Sequence, residues 1–218
     1  MRLIGIDLDG TIEDSRADMV AAAGRVRAGL ELPAREPALL LPWVNGGMDQ
    51  LYRACFDDYL AAGDAGARYA AVRAAYEAEY LAHVAVETRL YDGMAGALAE
   101  LAQLGTLACV TNKPERISRA LLAALGVGAL FGTVIGGDSC AEAKPSPLML
   151  AAAAERCGFD RTRGRAFMIG DTAADMKLAQ SFGAIAIWCA WGYSTEPGAP
   201  SAFQARAPRE LAAIVRGA

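Results

Sequence analysis

Five short apolar runs, each too brief for a helix, constrain this chain more than any other feature. They are RLIGID (residues 2–7), TLACVT (106–111), GTVIGG (132–137), RAFMIGD (165–171) and AIAIWC (184–189). Runs of this length without helical periodicity predict buried strands. Helical patterns lie between them, at residues 93–104, 114–125, 145–157 and 172–182. Pro114 and Pro147 fall where a first helical turn begins, and Gly105, Gly126, Gly158 and Gly183 fall where helices stop. Alternation of this kind predicts βαβ units, and so an α/β fold with a parallel sheet covered by helices on both faces.

The segment from Arg16 to Thr88 breaks the rhythm. It is alanine-rich, helical in pattern and without a convincing strand. Its length far exceeds that of a βα connection, which predicts a helical insertion, residues 16–88, in a core made of residues 1–15 and 89–218. Because it follows the first strand, it is expected over the carboxyl end of the sheet, where open α/β sheets bind ligands, and is read as a lid.

Composition narrows the function. The 218 residues are 54% hydrophobic and 21% charged, with a formal net charge of −4, which suits a compact acidic protein and argues against a nucleic-acid binder. Charges or glycines interrupt every apolar stretch before it reaches membrane-spanning length. Cys55, Cys109, Cys140, Cys157 and Cys189 form no CxxC and no Cys/His cluster, which points to a reducing compartment. The opening MRLIGID leaves no room for a signal-peptide core. A cytoplasmic location is expected, with no membrane or nucleic-acid partner.

Chemistry-bearing residues gather just after the predicted strands. Asp7 and Asp9 follow the first, Thr111 and Asn112 follow LACV, Asp171 follows AFMIG, and Lys144 lies in the loop before Ser146 and Pro147. In a parallel sheet these loops emerge at one edge, so distant stretches converge. A cluster of Asp7, Asp9, Asp171 and Asp175 is prohibitive without a cation, and hard oxygen ligands suit Mg²⁺. Asp171 and Asp175, four apart at a helix start, are directed to the same side. Lys144 and the Thr111 hydroxyl supply the positive charge and donor that phosphoryl oxygens require. The set describes a phosphoryl-transfer site.

DLDGT, VTN, KP and GDTAAD, in this order across residues 7–175, resemble the four motifs of the haloacid dehalogenase-like hydrolase superfamily. The insertion is similar to that superfamily's C1-type cap. TNKP (111–114), VIGGD (134–138), KPSP (144–147) and WGY (191–193) resemble its phosphoglycolate phosphatase group. The resemblance implies a Rossmann-like core and a Mg²⁺-dependent phosphatase acting on a small phosphorylated metabolite, most simply 2-phosphoglycolate, as a monomer or homodimer. It implies that Asp7 is the nucleophile and Asp9 the general acid and base. It further implies that Asp7, the Asp9 carbonyl and Asp171 hold Mg²⁺, with Asp175 supporting them. Thr111, Lys144 and Asn112 would bind phosphoryl oxygens, and Gly10 would let the DLDG backbone approach them.

Other sugar or nucleotide phosphatases, pyrophosphatases and phosphoglucomutases share these motifs. A receiver-like phospho-accepting switch also combines an acidic pair, Thr and Lys, but it lacks the long insertion and carries its acceptor after the third strand. Within the insertion, Trp43, Asn45, Met48 and Tyr52 are read as core packing, Arg53 and Arg68 as surface charge able to meet a substrate carboxylate, and His83 as non-catalytic. Ser146 after Lys-Pro, Glu13 after DGT and the order of the cap's WVNGG segment depart from the phosphoglycolate phosphatase pattern. These departures bear on the substrate and leave the chemistry untouched.

Overall fold

The computed structural model describes residues 1–44 and 47–218. The chain forms two compact units, one of residues Met1–Asp14 and Arg89–Ala218, the other of Ser15–Thr88.

In the first unit, strands β1 (Arg2–Ile6) and β2 (Glu13–Asp14) precede the insertion. In the second unit lie α1 (Arg16–Gly29), α2 (Pro37–Val44), α3 (Met48–Cys55), α4 (Asp57–Ala61) and α5 (Ala65–Ala82). The chain returns through β3 (Arg89–Leu90), α6 (Met94–Ala102), β4 (Thr106–Val110), α7 (Glu115–Ala124) and β5 (Phe131–Ile135). It continues with α8 (Leu148–Arg156), β6 (Arg165–Gly170), α9 (Ala173–Phe182), β7 (Ile185–Cys189), β8 (Phe203–Ala205) and α10 (Leu211–Gly217).

Six strands form one sheet in the order β5-β4-β1-β6-β7-β8, and each neighbouring pair is parallel. Because β1 lies inside this sheet and is covered on both faces, its sequence is an unbroken apolar run rather than an alternating one. Leu3, Ile4 and Ile6 are fully buried. Leu3, Ala108, Val110 and Met168 share one apolar cluster with Met149, Leu150 and Ala153 of α8 and Met176 and Ala179 of α9. The five predicted strands are therefore all present. β8 and α10 escape the pattern because they are short and lie after a Gly/Pro/Ser-rich stretch that carries no periodicity.

The chain leaves and re-enters the sheet unit through the antiparallel pair β2–β3, in which Asp14 faces Arg89. Within the helical unit, the two ends are tied by one carboxylate. Asp18, buried in the first turn of α1, accepts hydrogen bonds from the Glu87 N–H (3.0 Å), the Thr88 N–H (2.9 Å) and the Thr88 hydroxyl (2.6 Å). A second clamp is Arg27, fully buried, which donates to the carbonyls of Pro33 and Cys55 and to both oxygens of Asp58. The remainder of the unit packs on aromatic side chains. Tyr52 is buried edge-on against Tyr76, whose hydroxyl donates to the Met19 carbonyl.

Trp43 departs from the core packing expected of it: it is 41% exposed, on an α2 that also exposes Leu39 and Leu41. The helix is apolar all round, so periodicity does not say which face is inside. Asn45 lies outside the described residues. His83 is exposed beside Glu79 at 2.9 Å. Among the described residues, no helix is long and apolar enough to cross a membrane.

Asp18→Ala would leave the Glu87 and Thr88 donors facing a buried gap, and should destabilise the protein by about 2–3 kcal/mol in urea unfolding at neutral pH. Burial raises the Asp18 pKa, but bonds from Thr88 and Glu87 outweigh it and hold the carboxyl below its ordinary range. Its contribution is thus present above the unfolded-state carboxylate pKa and is lost as pH falls through the lower folded value. The wild-type advantage over Asp18→Ala should persist from neutral pH to about pH 5 and shrink below pH 4.

Candidate active site

The carboxyl ends of β1, β4 and β6 deliver Asp7, Thr111 and Asp171 to one edge of the sheet, and the loop after β5 delivers Lys144. Asp7 sits immediately beyond β1, with its N–H donated to the Ile169 carbonyl at 2.9 Å, so the parallel register itself continues into the site.

Three buried carboxylates converge there. Asp7, Asp171 and Asp175 each offer an oxygen within 4.8 Å of the others. One ammonium lies among them: Lys144 Nζ is 2.7 Å from Asp7 Oδ1 and 2.8 Å from Asp175 Oδ1. Burial alone would lower the Lys144 pKa, but Asp175 and Asp7 raise it above the ordinary lysine range, so it is protonated. One positive charge does not balance three carboxylates. Burial first, then Asp175 and Asp171, push the Asp7 pKa well above the carboxylate range against the pull of Lys144. Burial and Asp175 likewise push Asp171 up to about 6, although the Tyr193 N–H and the Thr11 hydroxyl pull it down.

The spacing of Asp171 and Asp175 has a local origin. Thr172 is the N-cap of α9, and Asp175 closes its capping box by accepting from the Thr172 N–H (3.0 Å) and hydroxyl (2.6 Å). Asp175 is therefore held by its own helix start while its other oxygen receives Lys144. Asp171 is fixed from the opposite side. Its oxygens accept from the Thr11 hydroxyl (3.1 Å) and the Tyr193 N–H (2.8 Å), while its carbonyl accepts from the Trp188 indole (3.0 Å).

Two glycines permit this crowding. Gly10 has φ of +80°, and a Cβ there would lie 2.7 Å from Asp171 Oδ2. A Cβ on Gly192 would lie 2.2 Å from that of Asp171. Gly10 was legible from DLDGT, whereas Gly192 and Tyr193 were visible only as part of WGY, with no role attached. Trp191 completes this second wall by donating to the Thr11 carbonyl at 3.0 Å.

Thr111 is buried, with its hydroxyl oxygen accepting the Lys113 N–H at 3.2 Å. Asn112, expected at the phosphoryl group, is held against the backbone of Lys144. Its Oδ1 accepts the Lys144 N–H at 2.9 Å and its Nδ2 donates to the Lys144 carbonyl at 3.4 Å. With both ends of its amide on the Lys144 backbone, Asn112 positions that lysine. Asp9 is paired with Lys113, whose Nζ lies 2.5 Å from Asp9 Oδ1. Lys113 is only 2% exposed and is the basic residue that sequence reasoning passed over. The signal was a lysine inside TNKP, directly after two residues already assigned to the site.

The donor set fits a divalent cation. Three carboxylates against one lysine leave two uncompensated negative charges, and hard oxygen donors match a hard cation such as Mg²⁺.

Comparison with known proteins gives the relatives of the chain. A family model described as haloacid dehalogenase-like hydrolase matches residues 1–183. A phosphoglycolate phosphatase of Xanthomonas campestris is 35% identical over 205 residues, covering 94% of this chain and 90% of that protein. One from Chromobacterium violaceum is 33% identical, covering 89% and 87%. The crystal structure of a predicted phosphoglycolate phosphatase from Haemophilus somnus superposes with a TM-score of 0.81 at 25% identity, covering 97% of this chain and 96% of that one.

Because burial penalises the charged form of Asp171, its ionisation costs the fold stability above its raised pKa, and the cost vanishes at pH values below the ordinary carboxylate range. The shift corresponds to about 3 kcal/mol at pH 7. Asp171→Asn removes that cost but loses one of the two acceptors, so in the presence of a chelator its melting temperature should fall less than that of wild type between pH 4 and pH 7. Adding Mg²⁺ should raise the wild-type melting temperature and leave the variant unchanged. A variant whose melting temperature falls with pH as steeply as that of wild type would contradict the charge imbalance.

Proposed function

We propose that this chain, which belongs to the haloacid dehalogenase-like hydrolase family, is a Mg²⁺-dependent phosphomonoesterase whose preferred substrate is 2-phosphoglycolate. The observation that carries this reading is the buried cluster of Asp7, Asp171 and Asp175 around Lys144, with a separate Lys113–Asp9 pair beside it. The relatives' names support the substrate.

Asp7 attacks phosphorus through a carboxylate oxygen, and the bond from phosphorus to the ester oxygen breaks, giving an aspartyl-phosphate. Asp9 donates a proton to the departing oxygen and then removes one from the water that attacks the same phosphorus, which releases phosphate and restores Asp7. Lys144 has three donors, enough to keep Asp175 and serve a phosphoryl oxygen, with the Thr111 hydroxyl as a further donor. Asn112 acts through Lys144 by fixing its backbone. Gly10, with its positive φ, makes the tight turn that brings the DLDG backbone against Asp171. Mg²⁺, held by Asp7, Asp171 and the Asp9 carbonyl with Asp175 behind them, would neutralise charge on the phosphoryl oxygens. The helical segment, residues 16–88, is assigned the role of cap, and a small phosphorylated metabolite is the partner.

A Mg²⁺-dependent phosphate-release screen over small phosphoesters tests this. Release should be fastest from 2-phosphoglycolate and should fall to background on addition of chelator. Asp7→Asn should abolish turnover, and Asp9→Asn should lower kcat by about 10²-fold or more. Unchanged activity in Asp7→Asn would refute the nucleophile, and release from no monoester would refute the whole assignment.

A further inference from the structure

We propose that Lys113 recognises a carboxylate on the leaving group and so helps select a small phosphorylated acid as substrate. This rests on the phosphomonoesterase reading above and assigns to the sheet unit a share of the selectivity otherwise sought in the helical unit.

The argument is one of reach. A group that gives its proton to the departing ester oxygen lies within one hydrogen bond of it, about 3 Å. Lys113 Nζ lies 2.5 Å from the Asp9 carboxylate, so the ammonium is within roughly two hydrogen-bond lengths, about 6 Å, of that oxygen. In 2-phosphoglycolate the carboxylate carbon is two bonds from the same oxygen. A leaving-group carboxylate is thus carried into the neighbourhood of the ammonium by the act of placing the phosphoryl group on Asp7.

The electrostatics favour that encounter. Lys113 is buried at 2% exposure, and a buried ammonium is held there by its anionic partner. A leaving-group carboxylate brings a second anionic partner to the ammonium beside Asp9. A neutral leaving group supplies no such partner. The other cations considered for this task are tied within the helical unit. Arg53 pairs with Asp49 at 2.9 Å and lies over the Tyr69 ring, and Arg68 stacks on Tyr59 while donating to its carbonyl. Lys144 lies against Asp7 and Asp175 and is assigned to the phosphoryl oxygen.

The test compares 2-phosphoglycolate with 2-hydroxyethyl phosphate, which replaces the carboxylate by a neutral hydroxymethyl group of similar reach. Wild type should prefer the acid in kcat/KM by about 10- to 100-fold, the size of one charged hydrogen bond. Lys113→Met weakens the hold on Asp9 and should slow both reactions, but the ratio should collapse to within about 3-fold, while Lys113→Arg should keep most of it. A residue that only steadies Asp9 would lower both rates equally. An unchanged ratio in Lys113→Met, or no preference in wild type, overturns the inference and leaves the phosphatase reading standing. Wild type that hydrolyses neither ester overturns the inference together with the choice of 2-phosphoglycolate. If Lys113→Met fails to fold in circular dichroism, Lys113→Gln and the wild-type ratio decide by the same criteria.

Discussion

The site is organised around an excess of buried negative charge that the protein does not itself cancel. Asp7, Asp171 and Asp175 share a single lysine, and the strain appears as upward pKa shifts on Asp7 and Asp171. A structure selected for stability alone would neutralise or solvate these groups. This one instead surrounds them with donors that fix their directions: the Thr11 hydroxyl and Tyr193 N–H on Asp171, the Leu8 N–H on Asp7, and the helix-capping threonine on Asp175. The donors orient the oxygens without removing their charge. What remains is a preformed demand for a cation, with little conformational freedom left to lose when it is met.

The sheet supplies the precision. Because β1 and β6 run parallel and in register, Asp7 and Asp171 arrive at the same level of the same edge, and the hydrogen bond from the Asp7 N–H to Ile169 extends the ladder to the last residue before the chemistry. The two lysines divide the site. Lys144 belongs to the carboxylate cluster, while Lys113 belongs to Asp9. The acids of DLDGT, one residue apart, therefore have different electrostatic company, and two neighbouring aspartates acquire distinct environments without distance between them.

Much of this was legible in the sequence. The strands were readable because burial on both faces makes their runs continuous, and the convergence of Asp7, Thr111, Lys144 and Asp171 follows from parallel topology alone. Family resemblance, rather than pattern, gave the roles. What stayed hidden depends on where side chains spend their hydrogen bonds. The hold of the Asn112 amide on the Lys144 backbone leaves no trace in the motif, and Lys113, passed over inside TNKP, is seen only in the structure to be buried against Asp9. Trp43 reads as core because aromatic residues usually are, yet an all-apolar helix carries no record of which side faces outward.

The carboxylate of Asp18 has a consequence for how such a chain changes over evolutionary time. By gathering the Glu87 and Thr88 donors it closes the helical unit at its own base, so that entry and exit are neighbours whatever lies between them. A segment closed in this way is a cassette. It can be lengthened, shortened or exchanged for another set of helices with matching ends, while the strand that carries Asp7 and the strand that follows the insertion keep their places. A change inside the segment thereby leaves the tie at its ends intact.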